Sequence, residues 1–148
     1  MKDRFNPVAS FAVLLLLGAC SAPDSPETQV RKTVAAMETA AEARDVGDLM
    51  QFLAEDFRDA YGRSAPELSR YVQGYFIANQ SIHLLTRIEE LEFPSADEAR
   101  LRMTVAMVGR EAEAAAAWNL AADIHDFDVT LRRQDGRWTV TYAQWGGD

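Results

Sequence analysis

The order of hydrophobic periods along these 148 residues predicts an α+β fold, with two to three N-terminal helices packed on an antiparallel sheet of about four to five strands. Three observations predict it. Apolar residues recur at three-and-four spacing from about residue 27 to 44, the period changes from helix to strand after Asn79, and Asp135-Gly136 sits between two alternating runs near the end. With 48% hydrophobic and 26% charged residues, the chain carries enough apolar surface for one core, so a single domain is expected.

In the first helix Val30, Val34, Met37 and Ala41 share a face, with Arg31, Lys32, Glu38 and Glu42 elsewhere. Asp45-Val-Gly47-Asp48 breaks it, and Asp48 is expected to cap a short second helix carrying Leu49, Met50, Phe52 and Leu53. A brief strand from Phe57 to Tyr61 would put Phe57, Asp59 and Tyr61 on one side. Ser64-Ala-Pro66-Glu67 has the form of a capping box with an early proline, so a third helix should run to about Ala78 with Leu68, Tyr71, Val72 and Tyr75 inward.

Beyond Asn79, Ile82, Leu84, Thr86 and Ile88 alternate, while Leu85 and Leu91 break the alternation and point to a bulge or two buried faces. A turn at Pro94-Ser-Ala-Asp97 leads to a strand in which Leu101, Met103, Val105 and Met107 oppose Arg100, Arg102 and Thr104. The alanine-rich stretch 111–118 fits either a helical turn or a long hairpin loop. Strands over 124–133 and 138–145 are then joined through Gln134-Asp135-Gly136-Arg137, a strong hairpin signal.

A two-residue loop sets Gln134 opposite Arg137, so Leu131 should meet Val140, Val129 meet Tyr142 and Phe127 meet Gln144 on the core face. Arg133 and Trp138 share that face near the turn, and His125 shares it at the far end. Asp126, Asp128, Thr130, Thr139 and Thr141 take the other face, where Trp145 would lie opposite Asp126. That face reads as solvated sheet or as a dimer or partner surface.

The first residues have a different character. Lys2 and Arg4 precede a short apolar run from Phe11 to Leu17, followed by Gly18, Ala19 and Cys20, which is the anatomy of a secretory signal too short to span a bilayer as a helix. Leu17-Gly18-Ala19-Cys20 resembles the lipobox of bacterial lipoproteins. The resemblance implies cleavage before Cys20, lipid on its sulfur, and anchoring of the mature chain in a membrane of the cell envelope. Ser21, where inner-membrane retention uses Asp, implies the outer membrane, facing the periplasm. The expected organisation is a signal peptide over 1–19, the lipidated cysteine and a Pro-containing flexible tether over 20–27, and one domain over 28–148.

The two or three helices, the following meander, and the ending Asp135-Gly-Arg-Trp138-Thr-Val140 with a final Trp145 resemble the nuclear transport factor 2-like superfamily, which includes ketosteroid isomerases and SnoaL-like proteins. The resemblance implies a strongly curved sheet, helices closing it into a cone, and a pocket at the open end. Carried without gaps through Phe52-Leu-Ala-Glu-Asp-Phe57, it puts the position of the isomerases' base on Tyr61, two residues after Asp59.

By strand parity, Asp59, Tyr61, His125, Tyr142 and Gln144 are the candidates for a polar patch that binds a ligand, with Asp59, Tyr61 and His125 as the candidates for catalysis. The incomplete acid–base set favours a non-catalytic binding domain for a small apolar ligand or an envelope protein. An isomerase, dehydratase or hydrolase, and a structural homodimer module, are the alternatives. A formal charge of −8 without clustered Lys and Arg disfavours nucleic acid as a partner. Two separated histidines and one cysteine give no metal-ligand spacing, and no cofactor motif is present.

Overall fold

The computed structural model describes residues 22–108 and 123–146. The leader, Cys20 and the 111–118 segment with Trp118 lie outside the described residues. Three helices, α1 (Pro26–Glu42), α2 (Val46–Met50) and α3 (Ala65–Ala78), pack on a sheet of β1 (Leu53–Asp59), β2 (His83–Ser95), β3 (Glu98–Val108), β4 (Asp123–Gln134) and β5 (Arg137–Trp145). Strand order is β1-β5-β4-β3-β2. Neighbours are antiparallel except at one edge, where β1 runs parallel to β5.

Local chemistry sets the helix limits. Ser25 caps α1 by accepting from Thr28 N–H at 3.2 Å, and Pro26 occupies the first turn, so the helix starts before the expected end of the tether. It stops at Arg44, whose φ of 56° lets Asp45 N–H reach Ala40 O and Arg44 N–H reach Ala41 O, both at 3.0 Å. The cap of α2 is Asp45, not Asp48: its Oδ1 accepts from Asp48 N–H at 2.9 Å, because the helix begins immediately after this Schellman turn. At α3 the capping box forms, with Glu67 Oε2 accepting from Ser64 N–H at 2.8 Å and from its hydroxyl at 2.7 Å.

The apolar stripe of α1 and the inward sides of α3 and the sheet meet in one core, where Val30, Phe57, Leu131 and Val140 are almost wholly excluded from solvent. Trp138 closes its narrow end. It is buried, donates from Nε1 to Gln29 Oε1 at 3.1 Å, and meets Phe93 edge-on at 5.9 Å. The expected irregularity in β2 is a register shift between Ile88 and Glu90 against β3.

The last hairpin departs from the derived register at one point. Gln134↔Arg137, Arg133↔Trp138 and Leu131↔Val140 pair as expected, but Thr130 then faces Tyr142, Val129 faces Ala143 and Phe127 faces Trp145. Thr141 is one extra residue on β5, a β-bulge that exchanges the two faces beyond it. Tyr142 and Gln144 therefore lie on the outer face, while Ala143 and Trp145 turn inward. This overturns both the inward placement of Tyr142 and Gln144 and the outward placement of Trp145.

Candidate functional site

The bent sheet and the three helices leave a cavity of about 300 Å³ between them. Its floor is the core itself, Phe57, Val129 and Val140. Its walls are methionine-rich, with Met37 from α1, Met50 from α2 and Met103 and Met107 from β3. It reaches the last turns of α1 (Glu38, Ala41) and α3 (Tyr75, Phe76). Unbranched thioether side chains adapt to irregular apolar ligands, and a volume of this size suits a small molecule.

Polar groups are few on this surface. His125, from β4, lines the cavity as parity predicts, and its Nε2 lies 3.2 Å from Asp123 Oδ1. Tyr75 donates to Met107 Sδ at 3.3 Å; burial, reinforced by the charge of Asp123 and by Tyr71, raises its phenol above the ordinary value. Glu38 and Thr86 also line the cavity. Trp145 closes one side, stacked on Phe127 at 5.9 Å.

The remaining candidates go elsewhere. Asp59 is buried but does not line the cavity. Its Oδ1 accepts from Tyr61 N–H at 2.9 Å and Arg63 N–H at 2.8 Å, and its Oδ2 accepts from Arg63 Nε at 2.6 Å. Burial opposes its ionisation, but the Arg63 amide, the Arg63 guanidinium and the Tyr61 amide outweigh that and hold the carboxyl below its ordinary value. Asp59 thus holds a turn.

Tyr61 lies past the end of β1 rather than on its inner face. It is 71% exposed, because the chain turns at Gly62 with φ of 78°. Together with Tyr71 and Trp145 it surrounds the Arg63 guanidinium, at 4.9, 4.4 and 5.2 Å from the three ring centres. Tyr142 and Gln144 bond each other at 3.2 Å on the outer face, Tyr142 beside the Arg102 ion pairs to Glu90 and Asp128. Of the five candidates, His125 alone lines the cavity.

The residues that sequence reasoning missed are those that build it: Glu38, Thr86, Trp145 and the four methionines. Met103 and Met107 do fall on an inward-facing period, a signal that reads equally as core. Among the described residues no group of three or more His, Cys, Asp or Glu could hold a metal ion, and no helix is long and apolar enough to cross a membrane.

A helix-covered, bent five-stranded sheet with a cavity on its concave side defines a cone-shaped α+β class. No family model and no curated protein matches the chain in sequence. In shape it is similar to a candidate scytalone dehydratase from Novosphingobium aromaticivorans DSM 12444, with TM-score 0.67, 14% identity, and 80% of this chain and 81% of that one covered. It is also similar to a nuclear transport factor 2-like protein of unknown function from Shewanella oneidensis MR-1, with TM-score 0.62, 15% identity, and 83% and 100% covered. A third similar structure is a cystatin-like domain of unknown function from Nostoc punctiforme PCC 73102, with TM-score 0.66, 12% identity, and 86% and 80% covered. The chain has the nuclear transport factor 2-like fold.

Proposed function

We propose that this protein is a membrane-anchored envelope lipoprotein whose cone binds a small apolar ligand without transforming it. The observation that carries the binding reading is the cavity of about 300 Å³, walled by methionines and aromatic rings and backed by the core. The carboxylate nearest to the isomerases' base position, Asp59, is tied to a turn by three hydrogen bonds, which supports binding over proton abstraction. Lipid on Cys20 would hold the domain at the membrane, where apolar molecules are available; the support for it is the Leu17-Gly18-Ala19-Cys20 pattern.

The test is binding of an uncharged solvatochromic dye to the purified protein, compared with Ala41→Phe. Ala41 is half-buried in α1 and lines the cavity, so a phenyl ring there fills space without breaking the helix. Dye affinity is expected to fall by about tenfold or more, the effect of about 1.4 kcal/mol of lost apolar contact. Equal affinity of the two proteins would overturn the reading.

A second reading is a dehydratase or isomerase, favoured by one observation: His125 lines the cavity with Asp123 placed 3.2 Å from its ring to orient it. The fold likeness to a candidate scytalone dehydratase is consistent with it. Complementation of a deletion strain separates the two readings. If His125→Ala restores every phenotype, binding stands; if it fails while remaining folded and dye-competent, catalysis does.

A further inference from the structure

Two half-buried polar groups on the cavity wall, the Glu38 carboxylate and the Thr86 hydroxyl, have no hydrogen-bond or ionic partner among the described residues. The packing of α1 on β2 brings them to one place. Glu42, one turn beyond Glu38, accepts from Leu84 N–H through Oε1 at 2.8 Å, and Thr86 follows Leu84 by two residues on the same side of β2. At the other end of α1, Gln29 bonds Trp138, which packs on Phe93 of β2. The helix therefore runs opposite to the strand, so one turn back from Glu42 and two residues on from Leu84 lead to Glu38 and Thr86, both on the cavity wall.

We infer that the cavity selects an amphiphile whose apolar body fills it and whose head is a protonated amine, received by Glu38 and Thr86. This rests on the ligand-binding reading above and names the ligand class. An ammonium head supplies a counter-charge for the carboxylate and donors for two oxygen acceptors.

The surroundings favour the same sign. α1 ends at this part of the cavity with no basic residue in its last turn to offset the negative end of the helix, whereas at α3 the Arg44 guanidinium takes that place on the Phe76 carbonyl. Glu42, Asp45 and Asp48 follow at the end of α1 and in α2, and Asp123 is near enough for its charge to act on Tyr75. Among the described residues, no Lys or Arg lines the cavity. Arg63, beside it, is committed to Asp59, and Arg44 points to the Phe76 carbonyl at 3.5 Å. The lining His125, when protonated, has Asp123 as its counter-charge. A carboxylate head of the same length would meet Glu38 with no lining Lys or Arg among the described residues to compensate.

The experiment is displacement of the uncharged dye by decylamine, decanol and decanoate, three ligands with one chain and three head charges. The amine is expected to displace at a concentration about tenfold below the carboxylate, as a partly desolvated charge pair allows, with the alcohol between. Glu38→Gln, checked for an unchanged near-ultraviolet spectrum, should bring the amine-to-alcohol ratio close to one, and Thr86→Val should reduce it. Equal displacement by all three, or tightest binding of decanoate, would overturn the amine inference while leaving the apolar site intact. An amine preference that survives Glu38→Gln would overturn the assignment to this carboxylate. Absence of dye binding altogether would remove the ligand-binding reading and this inference together.

Discussion

At the residue scale, Asp59 is the side chain whose loss should cost most outside the apolar core. It is buried, accepts three hydrogen bonds and carries the counter-charge of Arg63, which three aromatic rings hold in place. Asp59→Ala leaves two amides and a half-buried guanidinium unpaired, and should destabilise by about 3 kcal/mol in urea unfolding. Asp59→Asn keeps an acceptor for the amides and should cost about half of that. The same carboxyl sets a pH dependence. Its folded pKa lies below the ordinary 3.8, so its contribution is complete well above that value. The contribution declines as pH falls through 3.8 and is gone below the folded pKa. Asp56, lowered by its bond from Arg132, and Glu67, lowered by the bonds from Ser64, act in the same direction. A stability profile between pH 6 and pH 2 should be flatter in Asp59→Asn than in the parent protein, and identical slopes would refute the assignment.

At the scale of elements, the bulge at Thr141 decides what the cavity wall is made of. Removing Thr141 would leave a regular ladder with the same pairs, Val140 on Leu131, Tyr142 on Thr130 and Trp145 on Phe127, so Ala143 and Trp145 would still face inward. The deletion is therefore expected to leave tryptophan emission unshifted, with Trp145 still stacked on Phe127. A red-shifted spectrum would show that the pairing beyond Val140 depends on the extra residue. The bulge also marks where sequence reasoning reaches its end. Asp135-Gly136 fixes the turn because φ is 51° and 75° there, a conformation those residue types tolerate, so pairing near the turn was legible. Thr141 carries no such mark, since its β-branched side chain suits a regular strand and a bulge alike, and parity failed for every residue after it. Tyr61 was misplaced for a related reason: β1 occupies Leu53–Asp59, earlier than its alternation implied, and Gly62 turns the chain before Tyr61 can join. α1 and α3 were legible from their periods and, at α3, the capping box, whereas α2 is capped by Asp45 and ends at Met50, so Phe52 and Leu53 fall outside it. The cavity was not legible, because an inward methionine looks the same whether another side chain or open space faces it.

At the scale of the whole molecule, the proposed anchor and the cavity lie toward opposite ends of α1. The chain enters the helix at Pro26, near the Gln29–Trp138 contact, and the cavity reaches its last turn at Glu38 and Ala41. A short N-terminal tether would thus hold the narrow end of the cone nearest the membrane. Replacing Cys20 by Ser is expected to move the protein from the membrane fraction to the soluble one, or to leave the leader uncut, with loss of palmitate labelling. Unchanged membrane fractionation with the label lost would overturn the anchoring argument.

The parallel seam between β1 and β5 bears on how the molecule comes into being. Leu53 pairs with Val140 and Asp59 with Ala143, so the first strand to be synthesised finds its partner in the last. Closing so long an intervening chain is entropically slow, and the edge of β1 stays open until β5 is available. A chain emerging N-terminus first thus remains non-native until its final segment follows. If the chain is exported as proposed, that delay would postpone the folded state until the far side of the membrane is reached.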